Sequence, residues 1–80
     1  MLLLVSAEAL KVLRSAPPAA RVQINGLIRE AMNNPKAGDP TKLTGALPGD
    51  RRLRAGQWQI VFGVKDDVLT VRLVVKVIPL

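Results

Sequence analysis

The sequence predicts an α+β protein of two layers, in which a helical hairpin packs on a small antiparallel β-sheet. An apolar segment opens the chain, and two stretches with helical periodicity follow it, separated by a pair of prolines. The C-terminal part alternates between apolar and polar side chains, as half-buried strands do. The order strand, helix, helix and three strands implies that both helices cover one face of the sheet.

The first element is the apolar segment 1–5, which we expect to be a short buried strand. No basic residue precedes it, and Glu8 follows too soon for a signal peptide or a membrane span. Ser6 is a predicted N-cap, because a hydroxyl side chain and an acidic first turn both stabilise a helix N-terminus. This first helix should end near Ser15.

The second helix should begin at Pro18, since proline fits the first turn of a helix. Its apolar positions fall roughly on one face: Val22, Ile24, Leu27, Ile28 and Ala31. Asn33-Asn34-Pro35 should stop this helix. Residues 35–40 contain two prolines and should form an ordered loop.

Three strands are predicted over residues 51–54, 57–64 and 68–77, with a tight turn at Asp66-Asp67. In the second strand, one face should carry Trp58, Ile60, Phe62 and Val64. In the last strand, strict alternation assigns five residues to the core: Leu69, Val71, Leu73, Val75 and Val77. The opposite face of that strand should then carry Val68, Thr70, Arg72, Val74 and Lys76.

Composition limits the classes of function. Eighty residues predict one domain, residues 1–80, and a 49% apolar fraction predicts a folded chain. The net charge of +6 favours a polyanionic partner, either a nucleic acid or an acidic protein. Cysteine and histidine are absent, so disulfides, a credible zinc site and nucleophile systems built on these residues are excluded. We expect no metal and no cofactor, and the cytoplasm is the default location.

A basic surface should form on the sheet. Arg52 and Arg54 flank Leu53, so both guanidinium groups should project from the face opposite the core. Arg72 and Lys76 of the last strand should add two cations to this surface, and Lys42 should add a third from the loop that precedes Arg51. Guanidinium groups bind phosphate oxygens bidentately. The alternative is a solvated surface that only keeps the protein soluble, which is the more common case for charges of this kind.

Several short motifs occur in a defined order. KLTG at 42–45 precedes LPGD at 47–50, RLRAG at 52–56, IVF at 60–62 and DDVLTV at 66–71. This order resembles the RelE/ParE family of small bacterial and archaeal toxins, and the RelE branch most closely. The resemblance implies a toxin of a type II toxin–antitoxin pair that enters the ribosomal A site and cuts mRNA there. It also implies an acidic antitoxin segment that wraps the basic and apolar surface.

The resemblance assigns candidate roles to individual residues. Lys42 is similar to the lysine of the family's K-L-x-G segment, and Arg52 and Arg54 to its R-L-R strand. Lys76 stands where many members carry an arginine, which completes the four candidate catalytic residues. Three further residues are candidates for RNA binding: Arg51, Gln59 and Arg72. In such a site the RNA 2′-hydroxyl attacks the adjacent phosphate, and a lysine whose pKa is lowered by neighbouring cations is the candidate base.

Two features depart from the family's pattern. The R-[IL]-V-[FY] segment, whose arginine binds the scissile phosphate, reads here Gln59-Ile60-Val61-Phe62, and glutamine brings no charge. The family's C-terminal glycine, basic pair and tyrosine have no counterpart after residue 77. The alternative function is therefore a non-catalytic binding module, either a ParE-like gyrase inhibitor or a cleavage-deficient relative that binds an antitoxin.

Trp58 has two interpretations. It stacks on a nucleic-acid base, as aromatic residues do in single-strand binding sites, or it packs under the helices with Ile60 and Phe62. Its alternation with these two residues favours the core. Asp66 and Asp67 predict a hairpin turn rather than a metal site, because adjacent carboxylates in a tight turn point apart.

Overall fold

The computed structural model describes residues 1–78 and confirms the predicted fold class. The elements are β1 (Leu2–Val5), α1 (Ala7–Ser15), α2 (Pro18–Asn33), β2 (Asp39–Pro40), β3 (Arg51–Ala55), β4 (Trp58–Lys65) and β5 (Val68–Lys76). The five strands form one sheet in the order β1-β5-β4-β3-β2, and both helices pack on the same face of it. Within residues 1–78, no helix is long and apolar enough to cross a membrane.

The sheet is mixed rather than wholly antiparallel. β1 runs parallel to β5, from Leu2 opposite Val68 to Val5 opposite Val71. The parallel pairing is possible because the helices and the intervening strands carry the chain back to the end of the sheet where β1 began. The expectation of a purely antiparallel sheet is therefore wrong for this one pair of strands.

The predicted loop 35–40 contains the short edge strand β2. Asp39 pairs with Arg52 of β3, and Pro40 pairs with Arg51. This close approach requires glycine at position 38, because φ there is +80° and a β-carbon would overlap the backbone carbonyl of Arg52. The sequence pattern did not show this strand, since two residues carry no periodicity.

The helix boundaries agree with the prediction. The Oγ atom of Ser6 accepts a hydrogen bond of 3.0 Å from the backbone N–H of Ala9, so Ser6 is the N-cap of α1. The same hydroxyl donates to the carbonyl of Arg72 at 2.7 Å, and the backbone N–H of Ser6 donates to Val71 at 2.9 Å. Ser6 therefore joins the start of α1 to the middle of β5.

The core lies between the helices and one face of the sheet, which we call the covered face. Its largest fully buried side chains are Phe62, Ile24, Ile60, Leu69 and Val71. Val61 is fully buried as well, but it lies on the other face of the sheet, opposite Arg52. Val22 was predicted to lie on the apolar face of α2, but it is 73% exposed. Two residues turn a helix by about 200°, so Val22 and the buried Ile24 lie on opposite sides.

Strand β1 is not buried, contrary to the prediction. Leu2 and Leu4 are 70% and 57% exposed, and Leu3 is exposed as well. The physical reason is position, since β1 forms one edge of the sheet while the helices pack on β3, β4 and β5.

A β-bulge interrupts the alternation in β5. Phe62 pairs with Val71, but the preceding Val61 pairs with Leu73, so Arg72 is the extra residue. Beyond the bulge, the side chains exchange faces relative to the prediction. Leu73 and Val75 lie on the uncovered face of the sheet, and two residues predicted to point outward take the covered face: Val74, which is buried, and Lys76.

Candidate functional site

Four side chains line a cavity of about 160 Å³ on the uncovered face of the sheet: Asp39, Arg52, Arg54 and Gln59. We call this face the open face and these four residues the open-face site. Arg52 and Arg54 point there because Leu53 between them is buried on the covered face. Gln59 is directly opposite Arg54 in the β3–β4 pair, and Asp39 is directly opposite Arg52 in the β2–β3 pair. The register of the strands therefore brings side chains from β2, β3 and β4 together.

The open-face site carries two exposed guanidinium groups. Nε of Arg54 donates a hydrogen bond of 3.0 Å to the carbonyl of Gly56, which orients this side chain beside the cavity. Across the described residues, no ion pair within 4.0 Å joins Asp39 to Arg52 or Arg54. Gln59 is only 7% exposed, and its amide group can donate a hydrogen bond. The arrangement suits a phosphate group, which both arginines and the amide can contact.

Arg72 forms an ion pair with the buried carboxylate of Asp50. Its Nε and Nη2 atoms donate to Asp50 at 2.6 and 3.2 Å, and Asp50 is 3% exposed. Burial by itself raises the pKa of Asp50, but hydrogen bonds from Arg72 and from the backbone of Leu47, with the charge of Arg72, outweigh it and lower the pKa. Arg72 was a candidate for RNA binding, and the structure places it outside the cavity of the open-face site, where it makes a structural ion pair.

Arg51 and Lys76 lie away from the open-face site. Arg51 neighbours Arg52 in sequence and therefore takes the covered face, where its Nε and Nη2 atoms donate to the carbonyls of Ala37 and Gly38 at 3.1 and 2.5 Å. Lys76 is opposite Trp58 because of the bulge in β5. The expectation that Lys76 would share a surface with Arg52 and Arg54 is therefore wrong.

Lys42 lies in the exposed loop 41–50. This loop crosses the open face, since a β-carbon on Gly45 would lie 3.2 Å from the side chain of Leu73. Lys42 lines a separate cavity of about 300 Å³ formed by the loop itself, together with Thr41, Ala46, Leu47 and Pro48. Of the five cations predicted to line one surface, Arg52 and Arg54 are the two that share the cavity.

Sequence reasoning missed Asp39. It was assigned to a loop, and no local pattern indicates that it lies opposite Arg52, because the pairing of β2 depends on contacts between distant residues. Trp58 packs against the hydrophobic core, which agrees with the core interpretation and not with the base-stacking one. Within residues 1–78, no three potential metal ligands are grouped together.

Solved structures share this fold. The chain is similar to the isolated E. coli RelE toxin, with a TM-score of 0.81 and 20% identity over 99% of this chain and 86% of that one. It is also similar to the RelBE toxin–antitoxin complex of Mycobacterium tuberculosis, with a TM-score of 0.77 and 16% identity over 94% and 95% of the two chains. For the Methanococcus jannaschii RelB–RelE complex, the TM-score is 0.64 and the identity 26%, over 91% and 88%.

These structures confirm the resemblance at the level of the fold, which is that of the RelE toxins. No family model matches the sequence. No curated protein matches it either. The comparisons therefore show the fold, and any activity depends on the residues of the open-face site.

Proposed function

We propose that this chain is the toxin of a type II toxin–antitoxin pair, and that it cleaves mRNA in the ribosomal A site. The observation that carries the proposal is the open-face site, in which Arg52, Arg54 and Gln59 line one cavity. The RelE fold supports the assignment, because the solved structures that share it are toxins and toxin–antitoxin complexes.

The chemistry requires no nucleophile from the protein. The 2′-hydroxyl of RNA attacks the adjacent phosphorus, and negative charge increases on the phosphate oxygens as the bond to the 5′ oxygen breaks. Arg52 and Arg54 line the cavity, and their planar guanidinium donors suit the phosphate oxygens on which that charge develops. Gln59 adds a neutral donor, which stabilises the charge less than an arginine would. The products are a 2′,3′-cyclic phosphate and a 5′-hydroxyl end.

A cell-free translation reaction tests this function. Purified protein is added, and mRNA 5′ ends are mapped by primer extension, with naked mRNA treated in parallel. We expect cuts confined to translated codons. Arg54→Ala should abolish them, whereas Arg29→Ala, which removes the same charge from the exposed side of α2, should retain them. Cleavage by Arg54→Ala would contradict the assignment of this site.

The proposed partner is an acidic antitoxin segment. The chain carries a net charge of +6, and its edge strand β1 exposes Leu2, Leu3 and Leu4. An acidic amphipathic antitoxin segment can therefore make both ionic and apolar contacts with this protein. Expressed alone, the protein should arrest growth, and an acidic protein encoded beside it should relieve the arrest. A harmless protein with no acidic neighbour would contradict this part of the proposal.

Gln59 favours a second candidate function, a non-catalytic toxin relative. A site with glutamine at this position binds a phosphate but stabilises the transition state less. Intact mRNA in both reactions, together with altered DNA supercoiling by gyrase, would indicate a ParE-like inhibitor. Intact mRNA with unchanged supercoiling would indicate a relative that only binds its antitoxin.

A further inference from the structure

The carboxylate of Asp39 has no evident purpose in a site that only binds phosphate. Its charge repels the polyanion that Arg52 and Arg54 attract, yet strand register places it in the same cavity. Within residues 1–78, it makes no ion pair with either arginine.

The backbone that precedes Asp39 is held against β3. Arg51 donates hydrogen bonds to the carbonyls of Ala37 and Gly38, which directly precede Asp39. Gly38 then packs against the backbone of Arg52 so closely that no other residue fits there. Asp39 is therefore positioned by β3 itself and does not project from a freely moving loop.

We propose that Asp39 is the general base of the mRNA cleavage, an inference that rests on the function proposed above. The other groups that line the cavity cannot accept a proton: arginine does not deprotonate in proteins, and glutamine does not titrate. Lys42, the base expected from the sequence, lines a different cavity. Asp39 is thus the one titratable base among the described residues that line the open-face site.

The step balances with water as the proton source for the leaving group. Asp39 takes the proton of the 2′-hydroxyl, and the bond between the 2′ oxygen and phosphorus forms. The bond between phosphorus and the 5′ oxygen breaks, the 5′ oxygen takes a proton from water, and Asp39 returns its proton to solvent. Side chains directly opposite in an antiparallel pair have β-carbons about 5 Å apart, which suits a 2′-hydroxyl at Asp39 and its neighbouring phosphate at Arg52.

Single-turnover cleavage on purified ribosomes programmed with mRNA tests the proposal. Asp39→Asn keeps the shape of the side chain but accepts no proton, so its cleavage rate should fall by about 100-fold or more. Asp66→Asn is the matched control, because it removes the same charge from the exposed β4–β5 turn, where asparagine tolerates the positive φ. Binding to an RNA with a 2′-deoxy substitution at the cleavage site should be retained by Asp39→Asn, since the arginines remain.

Three outcomes distinguish a failure of the role of Asp39 from a failure of the proposed mRNA cleavage. Full cleavage by Asp39→Asn, with Arg54→Ala inactive, overturns the role of Asp39 and leaves mRNA cleavage in place. Parallel loss of cleavage and RNA binding in Asp39→Asn assigns the residue to holding the site and also overturns its role as base. No cleavage by the wild-type protein overturns both.

Discussion

The carboxylate of Asp50 accepts two hydrogen bonds from the guanidinium of Arg72, at 2.6 and 3.2 Å. It also accepts the backbone N–H of Leu47 at 2.9 Å, while the backbone carbonyl of Asp50 accepts from Thr41 at 3.1 Å. The backbone of Asp50 therefore joins the two ends of the loop 41–50, and its buried side chain attaches the loop to the bulge of β5. This loop crosses the open face at Gly45 and carries Lys42, which lines a cavity separate from the open-face site.

Removal of Arg72 should destabilise the fold. In Arg72→Met, the carboxylate of Asp50 stays buried without its counterion, which costs about 3 kcal/mol in the free energy of unfolding. Urea denaturation measures this change. The double variant Asp50→Asn with Arg72→Met should lose less than the sum of the two single variants, because they remove one shared interaction. Additive losses would show that the two side chains act independently.

The same pair should make stability depend on acid pH. Folding lowers the pKa of Asp50 below its usual value of 3.8, so its contribution to stability is complete above about pH 5 and is lost as pH falls through the folded pKa. Denaturation between about pH 6 and pH 2 should show a steeper loss for the wild type than for Asp50→Asn. Equal slopes would indicate that other carboxylates dominate the acid unfolding.

Gly63 should not tolerate alanine. A β-carbon there would overlap Oδ1 of Asp50 and lie 3.1 Å from Nη2 of Arg72, so the ion pair would have to move. Gly26 in α2 is the matched control, because a β-carbon added there would meet no neighbouring atom within 4 Å. Thermal unfolding should show that Gly63→Ala lowers the melting temperature. Gly26→Ala should raise it, since alanine favours a helix by about 1 kcal/mol over glycine.

The bulge at Arg72 is the point in β5 where alternation in the sequence stops predicting which face a side chain takes. Alternation around the buried Leu53 correctly placed Arg52 and Arg54, because that information is local to one strand. The same rule failed beyond Arg72, where the carbonyl of the bulge residue accepts the hydroxyl of Ser6, 66 positions away in the chain. Asp39 was missed for a similar reason, since its place opposite Arg52 follows from pairing between strands and not from its neighbours in sequence.

Arg51 and Arg52 are adjacent in sequence but should give opposite results on substitution. Arg52→Met should weaken RNA binding and reduce the slope of log Kd against log salt by about one phosphate contact, with stability unchanged. Arg51→Met should keep the slope but lower stability by about 1 kcal/mol, because it loses hydrogen bonds to Ala37 and Gly38. Filter binding at several salt concentrations and urea denaturation measure the two effects. An equal decrease in slope for both variants would contradict the separation of the two faces.

Gln59→Arg should increase RNA cleavage. The added guanidinium would enter the cavity of Arg52 and Arg54, and a charged donor exceeds a neutral one by about 1.4 kcal/mol, or tenfold in rate. Repulsion from Arg54 directly opposite should reduce stability slightly. Gln57→Arg is the control, because it adds the same charge at an exposed position at the start of the same hairpin. Single-turnover rates at one salt concentration distinguish the two: an equal gain in both variants would mean that net charge, and not the geometry of the open-face site, limits the reaction.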